Sequence, residues 1–126
     1  MKLILAIAIG GAVGAVARHL VNVQAAALMG FGFPWGTLTV NVVGSFLMGV
    51  LIETSALYWS PDPLVRAMLS VGVLGAFTTF STFSLDAVVL YERGELGLAA
   101  GYVIGSVILS IGGLFAGLAV IRAFAS

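Results

Sequence analysis

Long apolar runs alternate with short polar breaks along all 126 residues of the chain. Four runs each reach the roughly 20 residues that a helix needs to cross the hydrocarbon core of a bilayer. The breaks between them carry turn-forming residues, GFGFPWG, SPDP and ERGE. The pattern predicts an all-α membrane protein with one domain, residues 1–126, built from four transmembrane helices. Their expected bounds are about 3–28, 36–59, 64–91 and 96–124.

The composition agrees with a membrane protein and excludes several functions. Hydrophobic residues make up 61% of the chain and charged residues 8%, whereas soluble domains carry roughly a quarter charged residues. The net charge is zero, and no basic patch offers a surface for nucleic acid. The chain has no cysteine and one histidine, which disfavours a metal site built from side chains. No nucleophile, base and orienting acid are grouped, so we do not expect an enzyme.

Positive charges are almost balanced between the two ends of the predicted bundle. Lys2, Arg66 and Arg122 fall near one membrane face, while Arg93 falls near the other and Arg18 lies on that half of the first span. A bias of three to two does not fix one orientation by the positive-inside rule. The chain is therefore expected either to insert both ways and form an antiparallel homodimer, or to follow this small bias.

Small residues in the first and fourth spans predict close helix packing. Glycines four residues apart let two backbones approach and gain dispersion contacts, which are the main attraction between helices in lipid. Four short helices have little interior of their own, so these contacts are expected between helices and also between subunits. The pairs are Gly10 and Gly14, Gly101 and Gly105, and Gly113 and Gly117.

Polar side chains in the second and fourth spans recur every four residues, which places each set on one helix face. The stripes are Thr37, Asn41 and Ser45, and Tyr102, Ser106 and Ser110. An unpaired polar group is costly at membrane depth, so both stripes should face protein or water. Arg18 lies well inside the first span, where a charge is functional, extends to the membrane interface, or forms a structural pair with a carboxylate such as Asp86.

The most unusual stretch is GAFTTFSTFS at Gly75–Ser84, within the third span. Its phenylalanines recur every three residues, and its hydroxyl side chains compete for backbone hydrogen bonds and weaken the helix. We predict a helix break near Gly75 to Thr79. Carbonyls freed by a break must bind something in a membrane, and a buried cation is one solution. In an antiparallel dimer, two such breaks could meet on the two-fold axis and share one ion.

These polar and aromatic groups suggest a pathway for a small anion. Asn41 offers N–H donors, Phe80 and Phe83 offer the positive edges of their rings, and Ser106 and Ser110 offer O–H donors. No acidic ring lines the pathway, which disfavours a cation channel. The chain also lacks the multi-charge relay that a proton-coupled transporter needs.

Three motifs resemble those of the small microbial fluoride channels (Fluc-type fluoride exporters), and the resemblance covers all four spans in order. They are GGAVGAVAR at Gly10–Arg18, GTLTVN at Gly36–Asn41, and GAFTTFSTFS. The resemblance implies an antiparallel, dual-topology homodimer with two fluoride pores in the plasma membrane (the inner membrane of a Gram-negative source). It also implies export of toxic fluoride, which accumulates in cells as the acid enters and dissociates.

The resemblance assigns roles to individual residues. Arg18 resembles an arginine near an aqueous vestibule, and the backbone carbonyls of Gly75 and Thr78 look like donors to a structural sodium ion at the dimer centre. Asp86 stands where relatives often have glutamate. The implied fluoride pathway consists of Arg18, Asn41, Thr79, Phe80, Phe83, Tyr102, Ser106 and Ser110.

Two other functions compete with this interpretation. A small dual-topology drug or cation exporter would need a carboxylate in the first helix, which carries Arg18 and no carboxylate. A structural membrane subunit would use its polar residues only to hold helices together. In that case, replacing Asn41, Phe80 or Phe83 would impair assembly without changing transport selectivity.

Overall fold

The computed structural model describes residues 1–125, and within them every regular element is helical. Helix α1 spans Lys2–Met29, α2 spans Trp35–Leu57, the third span runs over Pro63–Glu92, and α6 spans Leu96–Ala125. Each is long and apolar enough to cross a membrane, so the prediction of four transmembrane helices is confirmed. Their ends differ from the expected bounds by at most two residues.

The third span consists of four segments. They are α3 (Pro63–Ala67), a π-helix (Met68–Leu74), α4 (Gly75–Phe77) and α5 (Phe80–Glu92). Thr78 and Thr79 between α4 and α5 have extended backbones, with φ, ψ of −85°, 160° and −154°, 124°. The predicted break is confirmed at the far end of its expected range. Gly75 itself remains helical, which indicates that the threonine hydroxyls interrupt the helix rather than the glycine.

Short turns connect the helices. Gly30 ends α1 with a φ of 77°, and Gly94 turns the chain between α5 and α6 with a φ of 79°. At the start of α3, the Asp62 carboxylate accepts a hydrogen bond from the Leu64 amide, and Pro63 occupies a first-turn position that needs no N–H. These turns make consecutive spans antiparallel and leave both ends of the described chain on one side.

Two glycine pairs bring helices into direct backbone contact. A Cβ added at Gly10 or Gly14 of α1 would overlap carbonyl oxygens of the third span. One added at Gly117 of α6 would overlap a carbonyl of α2, and one added at its pair residue Gly113 would lie 3.2 Å from the Val42 carbonyl oxygen. The predicted packing of these glycines therefore occurs within the chain. Gly101 and Gly105 differ, because a Cβ added at either would meet no atom within 4 Å. That face of α6 is open.

The interior of the bundle is small. One cluster of buried side chains consists of Phe83, Leu90 and Tyr102, while most large hydrophobic side chains on all four spans are exposed. Such an apolar surface is suited to lipid or to another protein chain. Because the interior is otherwise apolar, the few buried polar side chains are candidates for a functional site.

Candidate functional site

A cavity of about 400 Å³ lies between α2, the third span and α6. It brings together eight of the ten residues to which the sequence assigned a role in fluoride or sodium binding. No acidic or basic side chain lines it. The eight residues are Asn41, Gly75, Thr78, Thr79, Phe80, Phe83, Ser106 and Ser110.

Asn41 of α2 forms a pair of hydrogen bonds with the backbone of the helix break. The Thr79 amide donates to Asn41 Oδ1 at 2.7 Å, and Asn41 Nδ2 donates to the Thr79 carbonyl at 3.0 Å. The two bonds together fix which side of the amide faces the break. An asparagine amide has two N–H donors, so one N–H of Asn41 remains for another acceptor.

The hydroxyls of Thr78 and Thr79 form hydrogen bonds with backbone groups on either side of the break. Thr79 Oγ1 accepts a hydrogen bond from the Thr82 amide at 3.2 Å and so caps α5, while Thr78 Oγ1 donates to the Leu74 carbonyl at 3.0 Å. In an unbroken helix the amides of Thr79 and Thr82 would donate to the carbonyls of Gly75 and Thr78. Both amides donate elsewhere, so these two carbonyls lose their usual partners.

The break separates Phe77 from the other two phenylalanines of the motif, Phe80 and Phe83. Phe80 and Phe83 line the cavity with ring centroids 5.5 Å apart, whereas Phe77 precedes the break and does not line it. Phe83 is buried, but Phe80 is 79% exposed. Apart from its contact with Phe83, most of the Phe80 ring is left uncovered by the described chain.

The serines of α6 give the opposite wall a polar character. Ser106 is 4% exposed, and its Oγ atom has no hydrogen-bond partner among the described residues. A buried hydroxyl without a partner costs free energy, so the Ser106 hydroxyl is free to bond a group that enters the cavity. Ser110 lies one turn further along the same wall.

Tyr102 lies beside the cavity instead of lining it. Its ring is 1% exposed and packs on Phe83 at a centroid distance of 5.1 Å, and its hydroxyl donates to Asp86 Oδ2 at 3.1 Å. Asp86 lines a second cavity of about 290 Å³ near the α1–α2 turn. Tyr102 therefore lies between the cavities, because it contacts Phe83 of the first and both Asp86 and Phe33 of the second, with the Phe33 ring centroid at 5.4 Å.

Arg18 lies apart from both cavities. It is half-buried on α1 and forms no ion pair within residues 1–125. The alternative pairing of Arg18 with Asp86 is not observed, and Tyr102 donates a hydrogen bond to that carboxylate instead.

Besides the bond between Tyr102 and Asp86, the fold creates two pairings that the sequence pattern did not predict. The bond pair between Asn41 and Thr79 joins residues 38 positions apart. Glu53 of α2 and Arg122 of α6 form an ion pair at the other end of the bundle. Glu53 and Arg122 have opposite charges, and the antiparallel order of the spans places both near the same membrane face. These two features of the sequence could have predicted the ion pair.

Comparisons with known proteins agree with the motifs. The model of the family described as "CrcB-like protein, Camphor Resistance (CrcB)" matches residues 5–118. A fluoride-specific ion channel FluC from Rhodospirillum centenum is 60% identical over 122 residues, which cover 97% of each chain. The channel of the same name from Agrobacterium fabrum is 55% identical over 116 residues, which cover 92% of this chain and 93% of that protein.

Proposed function

Because this chain belongs to the CrcB-like protein family, we propose that it is a passive, fluoride-selective channel of the cell membrane. The resemblance predicted from its motifs is confirmed, and its four apolar spans make it a multi-pass membrane protein. The observation that carries the proposal is the uncharged cavity in which Asn41, two phenylalanine rings and two serines converge. Relatives more than half identical over nearly their whole length bear the name fluoride-specific ion channel.

Three kinds of group in the cavity would replace the water around a small anion. The remaining N–H of Asn41 and the unpartnered hydroxyl of Ser106 are hydrogen-bond donors. The edges of Phe80 and Phe83 carry partial positive charge. A dehydrated cation would find no carboxylate among these lining residues. Fluoride that accumulates in the cytoplasm would then leave down its own gradient without a coupled ion.

We propose that the working unit is an antiparallel homodimer with two pores. The supporting observations are the exposed ring of Phe80, the open face around Gly101 and Gly105, and the near balance of basic residues between the two ends. Polar groups in an open cavity would face hydrocarbon in a single chain, which is unfavourable. A second copy would cover them.

A structural sodium ion at the centre of this dimer belongs to the same proposal. Within residues 1–125 no three His, Cys, Asp or Glu side chains are grouped to hold a metal. The carbonyls of Gly75 and Thr78, deprived of their helical amide donors, suit a hard cation. Each copy would supply two such oxygens, and the ion when bound would contribute a fixed positive charge at the break.

The proposal is tested by anion efflux from liposomes that contain only the purified protein. Fast fluoride efflux without chloride efflux is expected, and Phe80→Ile should sharply reduce fluoride flux in a protein that still forms dimers. Equal leakage of both anions, or none of either, would favour a structural subunit. Uptake of a cationic drug driven by a proton gradient would favour the exporter.

A further inference from the structure

One face of α2 holds the helix break through two residues that lie one turn apart. Asn41 forms hydrogen bonds with Thr79, and Gly44 lies against Thr78. Residues three apart on a helix are neighbours on its surface. Both extended residues of the break are therefore held by the same turn of α2, one by hydrogen bonds and one by close contact.

Gly44 leaves no space for a side chain. A Cβ added there would overlap the Cγ2 methyl of Thr78 and would lie 3.3 Å from Cδ2 of Phe77. Thr78 cannot easily retreat, because its amide and its hydroxyl both donate to the Leu74 carbonyl, at 3.1 and 3.0 Å. A methyl group on α2 would therefore either displace the break or force the Thr78 side chain to rotate and give up its hydroxyl bond to Leu74.

We propose that Gly44 is a positioning residue for ion passage, because its missing side chain lets Thr78 keep the extended conformation that Asn41 secures at Thr79. This inference rests on the proposed function. Displacing Thr78 would turn its carbonyl and would strain the bonds between Asn41 and Thr79. Asn41 lines the cavity, so its remaining N–H would move with them, and fluoride flux and its selectivity over chloride would both change.

The test is Gly44→Ala with a matched second-site change. Gly44→Ala should lower fluoride flux at least tenfold and narrow the ratio of fluoride to chloride flux. Thr78→Ser removes the overlapping Cγ2 atom and keeps the hydroxyl, so adding it to Gly44→Ala should restore flux toward the level of Thr78→Ser alone. Gly11→Ala is the control, since a Cβ there meets no atom within 4 Å. Its fluoride flux and its ratio of fluoride to chloride flux should equal those of the unmodified chain.

A second measurement does not depend on transport. The Thr79 amide donates to Asn41 Oδ1, so its hydrogen exchange should accelerate at least tenfold in Gly44→Ala and slow again in the double variant. If Gly44→Ala fails to fold, recovery of folded dimer on adding Thr78→Ser supports the proposal, and no recovery overturns it.

The remaining outcomes separate this inference from the proposed function. An unmodified chain that passes no fluoride contradicts the channel, while amide exchange still tests the role of Gly44. Unchanged flux and unchanged exchange in Gly44→Ala overturn the positioning role. A loss of flux that Thr78→Ser does not reverse also overturns it, because general crowding of α2 would then be the cause.

Discussion

At the scale of single residues, Asn41 combines two tasks that a simple pore-lining interpretation would assign to different groups. Its amide pairs with both backbone groups of Thr79 and keeps one N–H for the cavity. A carboxylate in its place could still accept from the Thr79 amide. It could not donate to the carbonyl, and it would add a negative charge to the route of an anion.

We therefore expect Asn41→Asp to reduce fluoride flux at least a hundredfold while Thr79 amide exchange stays within about threefold of the unmodified rate. Asn41→Ala should reduce flux and also accelerate exchange, because it removes both hydrogen bonds. Liposome efflux and hydrogen exchange measure the two effects. Equal acceleration of exchange in both variants would contradict the separation of tasks.

Ser106 gives a second test at this scale, because its buried Oγ has no partner among the described residues. Ser106→Ala removes no hydrogen bond within the chain, so the free energy of unfolding should change by less than about 1 kcal/mol. Fluoride flux should fall at least tenfold. Ser84→Ala, which removes an exposed hydroxyl bonded to the Phe80 carbonyl, serves as the control for both measurements. A large loss of stability in Ser106→Ala would indicate a structural role.

At the scale of helices, α2 is the element that organises the site. It contacts the break on one side and packs closely on α6 at Gly49 and Gly117, where added side chains would overlap backbone atoms. The ion pair between Glu53 and Arg122 joins the same two helices near their ends. The two helices therefore hold a fixed register along the cavity.

Glu53→Gln should destabilise the protein by about 1–2 kcal/mol. This is less than the roughly 3–5 kcal/mol lost when one partner of a buried pair is removed, because the Arg122 side chain is 63% exposed and that of Glu53 is 11% exposed. Thermal unfolding in detergent measures the change. Fluoride selectivity should be retained, and a stability equal to that of the unmodified chain would show that the pair contributes nothing.

The sequence predicted the elements well and their mutual contacts poorly. The length of the apolar runs predicted the four spans, and the hydroxyl side chains that compete for backbone hydrogen bonds predicted the break. Both features depend only on residues that are neighbours in the sequence. The bonds between Asn41 and Thr79 could not be predicted, since they depend on how α2 and the third span rotate against each other. Eight predicted site residues share one cavity, while Tyr102 lies behind it and Arg18 lies elsewhere.

At the scale of the whole molecule, the balance of basic residues predicts that orientation is easy to change. Gly32 and Ser60 are exposed and lie in turns at opposite ends of the bundle. Ser60→Lys changes the balance of basic residues from three to two to four to two, whereas Gly32→Lys alone would only equalise it at three to three. Gly32→Lys combined with Lys2→Gln and Arg66→Gln makes it one to three, so this triple variant and Ser60→Lys should insert in opposite orientations.

Expressed alone, Ser60→Lys or the triple variant with Gly32→Lys, Lys2→Gln and Arg66→Gln should lose at least tenfold of its fluoride flux, because an antiparallel dimer needs both orientations. Expressed together, the two variants should recover it. Efflux from membranes and the accessibility of a terminal tag measure activity and orientation. Full activity of a variant shown to have a single orientation would contradict the antiparallel dimer.

The π-helix at Met68–Leu74 has a consequence for how this fold tolerates length changes. A π-helical turn accommodates more residues than an α-helical turn does, so it holds surplus chain within a helix. Removal of one residue there, such as the exposed Val71, could be absorbed by tightening the wide turn. The same removal in α5 would rotate every following side chain by about 100°. The π-helix thus gives the third span one surplus residue upstream of the break. Deleting that residue should leave the contacts of Thr78 and Thr79 with α2 unchanged.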